Sequence, residues 1–145
     1  FSGRRTQARM LPWAVLQCRA RNDSMDIYKK FHIEAAHRLP NVPEGHKCAR
    51  LHGHSYALEI HVSGELHPEL GWVTDFADIK STFQPLFEQL DHRYLNDVAG
   101  LENPTAENIA RWVWERLIDA LPGLSRIVIH ETCTSGVVYR GPNRD

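Results

Sequence analysis

The sequence has few cysteines, no long apolar run and no internal repeat. Its three cysteines, Cys18, Cys48 and Cys133, are an odd number without regular spacing, which argues against a disulfide scaffold and indicates a reducing compartment. No apolar run approaches the ~18 residues of a membrane span, so we expect a cytoplasmic protein without a membrane partner. At 145 residues and 42% hydrophobic content, the chain is long enough for one domain with its own core.

The first 24 residues differ in composition from the rest. They contain five arginines and one acidic residue, Asp23, a bias that is typical of a transit peptide or of an extension preceding a natural start at Met25. Without them, the 17 basic and 18 acidic residues become 12 and 17, a net charge of −5 that argues against a nucleic-acid partner. We favour the extension, and we therefore predict an N-terminal extension over 1–24 and a single folded domain over 25–145.

Hydrophobic periodicity predicts the element order β-β-α-α-β-β, an α+β fold with a mostly antiparallel sheet covered by helices. In chain order, the predicted elements are strands over 25–37 and 52–63, helices capped by Asp75 and Thr105, and strands over 126–132 and 137–140. Phe76 is expected on the buried side of the first helix, and Pro85 predicts a kink or an early break in it. Pro122-Gly123 is expected to stop the second helix.

The triplet His52-Gly53-His54 lies on the second predicted strand. Residues two apart on a strand project from the same face, so both imidazoles can reach one metal ion. His37, at the end of the apolar face of the first strand, is our leading candidate for a third ligand. Three histidines would leave a fourth position open, as in catalytic zinc sites. The alternative is that histidines at strand ends are ordinary hydrogen-bonding residues.

Cys48 precedes this triplet by four positions and allows two interpretations. Its thiol either closes the metal site as a fourth ligand or stays free for chemistry. The remaining histidines are predicted to be ordinary hydrogen-bonding residues: His32, His46, His61, His67 and His130.

Two carboxylates are further candidates for the site. Asp91 precedes His92 where the first helix is expected to end, so it either orients His92 as a proton relay or caps the helix. Glu131 shares a strand face with Ile127 and Ile129. Since a buried carboxylate needs a partner, it either grips a ligand that presents two parallel N–H groups or lies in solvent at the strand end.

From Met25 onward, the chain resembles the 6-pyruvoyl-tetrahydropterin synthase superfamily. The resemblance rests on five motifs in this order: Phe31-His-Ile-Glu-Ala-Ala-His37, Cys48-x3-His52-Gly-His54, Leu90-Asp91-His92, Pro104-Thr105-Ala-Glu107-Asn and His130-Glu131-Thr132. Residues 1–24 have no counterpart. The resemblance implies the tunnelling fold (T-fold), in which the sheets of β-β-α-α-β-β subunits join into a barrel. It also implies a homo-oligomer, with a hexamer favoured, and active sites between subunits.

The resemblance also implies roles for individual residues. It makes His37, His52 and His54 ligands of Zn²⁺, Cys48 the catalytic thiol, Asp91 and His92 its partner relay, Glu131 the pterin anchor, and Thr105 and Glu107 residues near the pterin pocket.

The short gap between Cys48 and His52 resembles the branch of the family that forms a carboxylated pterin in queuosine biosynthesis. It implies conversion of the small molecule 7,8-dihydroneopterin triphosphate to 6-carboxy-5,6,7,8-tetrahydropterin, acetaldehyde and triphosphate. Lys30, Arg38 and Lys47 are candidates to hold the triphosphate. Two alternatives stay open: triphosphate elimination, as in the biopterin branch, and a non-catalytic zinc-binding module.

Overall fold

The computed structural model describes residues 23–143, and it confirms the predicted element order with one addition. In chain order, the elements are β1 (Ser24–His37), a 3₁₀ turn (Lys47–Ala49), β2 (His52–Glu65), α1 (Phe76–Leu90), β3 (Arg93–Tyr94), a second 3₁₀ turn (Leu95–Asp97), α2 (Ala106–Leu117), β4 (Leu124–Thr132) and β5 (Ser135–Tyr139). The two-residue strand β3 is the addition. The extension predicted over 1–24 falls almost entirely outside the described residues and stays a prediction.

The five strands form one sheet in the order β3-β1-β2-β4-β5. β1 and β2 pair antiparallel without interruption from Ser24 opposite Glu65 to His37 opposite His52. β4 and β5 extend the sheet antiparallel, whereas β3 pairs parallel with Ala35 and Ala36 of β1. The predicted α+β class with a mostly antiparallel sheet is confirmed.

One face of the sheet packs against both helices and forms the core. The odd-numbered residues of β1 and the even-numbered residues of β2 lie on this face, as period-two geometry predicts. The most deeply buried side chains of the core include Leu58, Ile60, Ile79, Phe83, Val113 and Ile127. His37, His52 and His54 lie on the same face, where β1 ends and β2 begins. The apolar face therefore places three imidazoles at the end of the core.

The predicted N-caps of both helices are confirmed. Asp75 accepts a hydrogen bond from the Ala77 N–H at 2.8 Å, and the Thr105 hydroxyl accepts one from the Asn108 N–H at 3.1 Å. None of the helices within residues 23–143 is long and apolar enough to cross a membrane.

Three expectations for the helices were wrong: the early break, one of the two outcomes predicted at Pro85, the burial of Phe76, and the end of the second helix at Pro122-Gly123. α1 continues through Pro85 to Leu90, because Phe83, Leu86 and Leu90 keep packing into the core on both sides of the proline. Phe76 is 50% exposed, since it is the first helical residue and precedes the buried stripe. α2 ends at Leu117, before the expected stop at Pro122-Gly123.

Gly123, which directly precedes β4, is predicted to tolerate a side chain poorly. Its φ is +80°, and a Cβ there would lie 2.6 Å from the Ser63 carbonyl oxygen. We expect Gly123→Ala to lower the free energy of unfolding by more than about 3 kcal/mol, because the left-handed backbone and the clash both oppose it. Gly45 also has φ +80° but has open space around it. Gly45→Ala should therefore cost only about 1–2 kcal/mol. Equal losses in urea denaturation would contradict this account.

Candidate active site

The three predicted metal ligands lie together where β1 and β2 pair. The register sets His37 opposite His52 and Ala35 opposite His54, so the three rings share one face. Their ring centroids are 4.6 Å apart for His37 and His52, 5.1 Å for His37 and His54, and 5.0 Å for His52 and His54. One ring nitrogen from each histidine lies within 4.8 Å of the other two. We call these three residues the histidine triad.

Backbone carbonyls set the tautomers of two members of the triad. His37 Nδ1 lies 2.8 Å from the Pro104 carbonyl oxygen, and His52 Nδ1 lies 2.7 Å from the Arg50 carbonyl oxygen. A carbonyl only accepts, so both Nδ1 atoms carry the proton and donate it. In neutral rings with this tautomer, the Nε2 atoms of His37 and His52 carry no proton, and the two atoms lie 3.0 Å apart.

Two nitrogen lone pairs that face each other at this distance repel unless a proton or a metal ion lies between them. Burial, the largest effect, lowers the pKa of His37, so its imidazole stays neutral near pH 7 and free to bind a metal ion rather than a proton. In a tetrahedral site with metal–nitrogen distances of ~2.0–2.1 Å, ligand nitrogens are about 3.3 Å apart. The donor set of the triad therefore fits a divalent metal ion.

Glu131 lies at the edge of the triad. Its Oε1 is 3.7 Å from His37 Nε2 and 3.7 Å from His54 Nε2. The side chain shares a face of β4 with the buried Ile127 and Ile129, yet it is 29% exposed. The carboxylate is therefore neither enclosed in the core nor fully in solvent, and it can contact a molecule that reaches the triad.

Cys48 is half-buried in the first 3₁₀ turn. Its N–H donates to His46 Nδ1 at 3.1 Å, and its carbonyl accepts from the Leu39 N–H at 2.8 Å. Within residues 23–143, the clustered metal-ligating atoms belong to the three histidines and do not include the Cys48 thiol. The structure therefore brings three imidazoles, and not four ligands, into one cluster.

Asp91 both caps α1 and pairs with His92. Its N–H donates to the Phe87 carbonyl at 2.8 Å, while its carboxylate accepts from His92 Nδ1 at 2.8 Å and from the Glu34 N–H at 3.0 Å. Burial by itself would raise the pKa of Asp91, but the hydrogen bonds from Glu34 and His92 lower it, so the carboxylate is ionised. Asp91 can therefore cap the helix and orient His92 at the same time.

The exposed ring of His92 borders an open groove. His92 has φ 55°, unusual for a residue with a side chain, and its N–H donates to the Glu34 carbonyl at 2.6 Å. The groove is also lined by Gly53 and Ser55, and the Ser55 hydroxyl donates to the Glu34 carboxylate at 2.6 Å. Because 77% of the His92 side chain is exposed, its Nε2 is accessible from outside the chain.

Three further residues were predicted to contact the substrate: Thr105, Glu107 and Lys30. The Thr105 hydroxyl is used in capping α2, directly after the carbonyl of Pro104 that orients His37. Glu107 is exposed in the first turn of that helix. Lys30, a candidate for the triphosphate, lies on the other face of β1 from the triad, with its Nζ 3.1 Å from Glu59.

Sequence reasoning missed the carbonyls of Arg50 and Pro104 and the hydroxyl of Tyr56. The Tyr56 oxygen lies 3.2 Å from His37 Nδ1 and 3.4 Å from His37 Nε2. Burial, with a further contribution from Glu131, raises the pKa of Tyr56, so its hydroxyl is protonated. Tyr56 could have been found from the strand alternation that places it beside His54. The direction of a carbonyl has no comparable signal in the sequence.

Three of the histidines outside the triad make local hydrogen bonds, as predicted for them. His46 Nδ1 accepts from the Cys48 N–H, and His67 Nδ1 accepts from two N–H groups of its own loop. His61 Nε2 is 2.9 Å from the Glu59 carboxylate on the other face of the sheet.

The fold and the triad together define an α+β protein with three clustered histidines whose donor set fits a metal ion. A family model described as 6-pyruvoyl tetrahydropterin synthase matches residues 26–142, and the chain belongs to this family. It is accordingly a lyase, and its subunit fold is the T-fold.

Similar proteins carry more than one name. The 6-carboxy-5,6,7,8-tetrahydropterin synthase of Synechocystis is 47% identical over 122 residues, which cover 80% of this chain and 93% of that protein. The dihydroneopterin monophosphate aldolase of Pyrococcus furiosus is 42% identical over 90 residues, covering 60% and 75%. The structure of Caenorhabditis elegans 6-pyruvoyl tetrahydropterin synthase superposes with a TM-score of 0.74 at 26% identity, covering 83% of this chain and 97% of that one.

Proposed function

We propose that the chain converts 7,8-dihydroneopterin triphosphate and water to 6-carboxy-5,6,7,8-tetrahydropterin, acetaldehyde and triphosphate. The observation that carries the proposal is the cluster of His37, His52 and His54, in which the Nε2 atoms of His37 and His52 lie 3.0 Å apart. The Synechocystis protein named 6-carboxy-5,6,7,8-tetrahydropterin synthase is 47% identical to this chain, which supports the choice of reaction. So does the three-residue gap between Cys48 and His52.

We propose Zn²⁺ as the metal, because three imidazoles with an open fourth position suit zinc catalysis. His37 and His52 would hold it through Nε2, and His54 would supply the third nitrogen. When bound, zinc supplies Lewis-acid polarisation of an oxygen on the substrate side chain. The carbonyls of Pro104 and Arg50 keep two of the rings oriented, since each accepts the Nδ1 proton.

The remaining residues bind the pterin and move protons. Glu131, beside the triad, would accept two parallel hydrogen bonds from the N3–H and 2-amino group of the pterin ring. Thr105 and Glu107 would border the same pocket. The Cys48 thiolate would remove a proton from the substrate side chain, and His92, oriented by ionised Asp91, would pass protons at its Nε2.

We propose that the complete site forms between subunits of a homo-oligomer, with a hexamer favoured. His92 borders the groove beside Glu34 with most of its side chain exposed, and its hydrogen bonds in the described structure are to Asp91 and Glu34 rather than to the triad. Within residues 23–143, β3 covers only Ala35 and Ala36 of the outer edge of β1, and β5 pairs on one side. These edges are available for strand pairing with further copies in a barrel.

Asp91→Asn tests the proton relay. The amide can still accept from the Glu34 N–H, but it no longer favours the proton on His92 Nδ1 or stabilises the charged ring. We expect kcat to fall by about 100-fold with little change in zinc content. Steady-state kinetics with metal analysis would measure both. Unchanged kcat would leave Asp91 as a helix cap alone.

Product analysis tests the proposed reaction. Purified, zinc-loaded protein incubated with 7,8-dihydroneopterin triphosphate should release acetaldehyde and a carboxylated pterin identified by mass. A pyruvoyl pterin without acetaldehyde would assign the biopterin-type elimination instead. A hydroxymethyl pterin, the product of aldol cleavage of the side chain, would assign the activity named for the Pyrococcus relative.

We further propose that the reaction takes place in the cytoplasm and serves queuosine biosynthesis, which the branch-specific spacing of Cys48 and His52 supports. Deletion of the gene should remove queuosine from transfer RNA, as measured by mass spectrometry of nucleosides. A normal queuosine content in the deletion strain would refute the pathway without refuting the reaction.

A further inference from the structure

A buried hydroxyl lies against the triad and takes no part in the chemistry described above. Tyr56 is 3% exposed, and its ring packs edge-on against His37 and His54, with centroids 6.0 Å and 5.5 Å away. Its oxygen approaches both nitrogens of His37, at 3.2 Å and 3.4 Å. The hydroxyl therefore lies at the nitrogen edge of the most deeply buried ligand.

The hydrogen-bonding capacity of His37 restricts what this hydroxyl can do. Since Nδ1 donates its proton to the Pro104 carbonyl, the Tyr56 oxygen can accept from Nδ1–H but cannot donate to it. The one acceptor left on His37 is Nε2. A metal ion held by Nε2 occupies that lone pair. The buried O–H of Tyr56 then needs a new acceptor, because an unpaired buried donor is strongly unfavourable.

We propose that Tyr56 donates this hydrogen bond to an oxygen on the side chain of the bound pterin. The proposal rests on the proposed function, which places that side chain at the triad. It makes Tyr56 a specificity residue for pterins that carry side-chain oxygens, distinct from Glu131, which recognises the ring. The hydroxyl would be paired with His37 Nε2 in the metal-free protein and with substrate in the loaded one.

Binding of two pterins tests this assignment without turnover. The probes are 7,8-dihydroneopterin, which carries side-chain hydroxyls, and 6-methyl-7,8-dihydropterin, which carries none. With zinc-loaded protein, Tyr56→Phe should weaken binding of 7,8-dihydroneopterin by about tenfold, as expected for one lost hydrogen bond. Binding of the methyl compound should change by less than about twofold. Isothermal titration calorimetry measures both.

Tyr28→Phe is the matched control, because Tyr28 is 54% exposed and stacks on His61 on the other face of the sheet. It should leave both affinities unchanged. Zinc content and thermal unfolding verify that each variant is folded and loaded. If Tyr56→Phe does not fold, wild-type protein with ¹³C-labelled tyrosine is used instead. One buried tyrosine Cζ resonance should then shift on addition of 7,8-dihydroneopterin and stay in place with the methyl compound.

Each remaining result would overturn the assignment. Equal weakening of both pterins by Tyr56→Phe would mean that the hydroxyl acts on the ring or through Glu131. No weakening of either, or no selective resonance shift, would mean that the hydroxyl has no role toward the side chain. Failure of zinc-loaded wild-type protein to bind either pterin would overturn the proposed function together with this inference. The other results would refute only the role assigned to Tyr56.

Discussion

Replacing His37 with alanine is expected to reduce zinc affinity by about 1,000-fold or more, because it removes one of three ligands from the triad. The loss is large for a second reason. His37 is fully buried and its ring is already oriented by the Pro104 carbonyl, so the variant loses a ligand that is held in place before the metal ion binds. Competition with a chromophoric chelator would measure the affinity.

The matched control is His32→Ala on the same strand. His32 is exposed and lies on the other face of β1, so its removal should leave zinc affinity unchanged. His37→Gln keeps more of the side-chain volume and serves where the alanine variant is too unstable to study. If either His37 variant binds zinc within about tenfold of wild type, the triad is not the metal site.

Replacing Cys48 with alanine is expected to lower kcat by about 100- to 10,000-fold while the protein keeps one zinc per chain. The thiol is absent from the clustered ligand atoms, so its removal should leave the three imidazoles in place. Turnover of 7,8-dihydroneopterin triphosphate gives kcat, and metal analysis of the same preparation gives the zinc content per chain.

This pair of measurements also separates an enzyme from a non-catalytic zinc module. In a closed site of three histidines and one cysteine, Cys48→Ala would lose zinc together with any activity. Cys133→Ala is the control, since Cys133 is exposed in the turn between β4 and β5 and should affect neither measurement. Loss of zinc in the Cys48 variant would therefore favour the structural module.

Local sequence patterns predicted most of the fold because they depend on neighbouring residues. Strand alternation placed His52 and His54 on one face, and the caps Asp75 and Thr105 marked where the helices begin. Two of the failures concern α1. Pro85 and Phe76 were interpreted by local rules, but packing on the core carried α1 past the proline and left the phenylalanine in solvent.

The candidate site needed more than alternation. His37 is 15 residues from His52 in the chain, and only the register of β1 on β2 sets them opposite each other. The short strand β3 brings His92 beside Glu34 through a parallel pairing that no periodicity predicts.

By itself, the sequence determined which side chains are available for metal binding and which strand faces carry them, because both follow from residue type and period-two geometry. Only the tertiary structure determined the protonation and the orientation of those side chains. The carbonyls of Arg50 and Pro104 assign the protons of two imidazoles, and the long-range contact between Pro104 and His37 exists only in the folded chain. The chemistry of this site therefore depends on backbone hydrogen-bond acceptors, whose positions do not follow from the residue types.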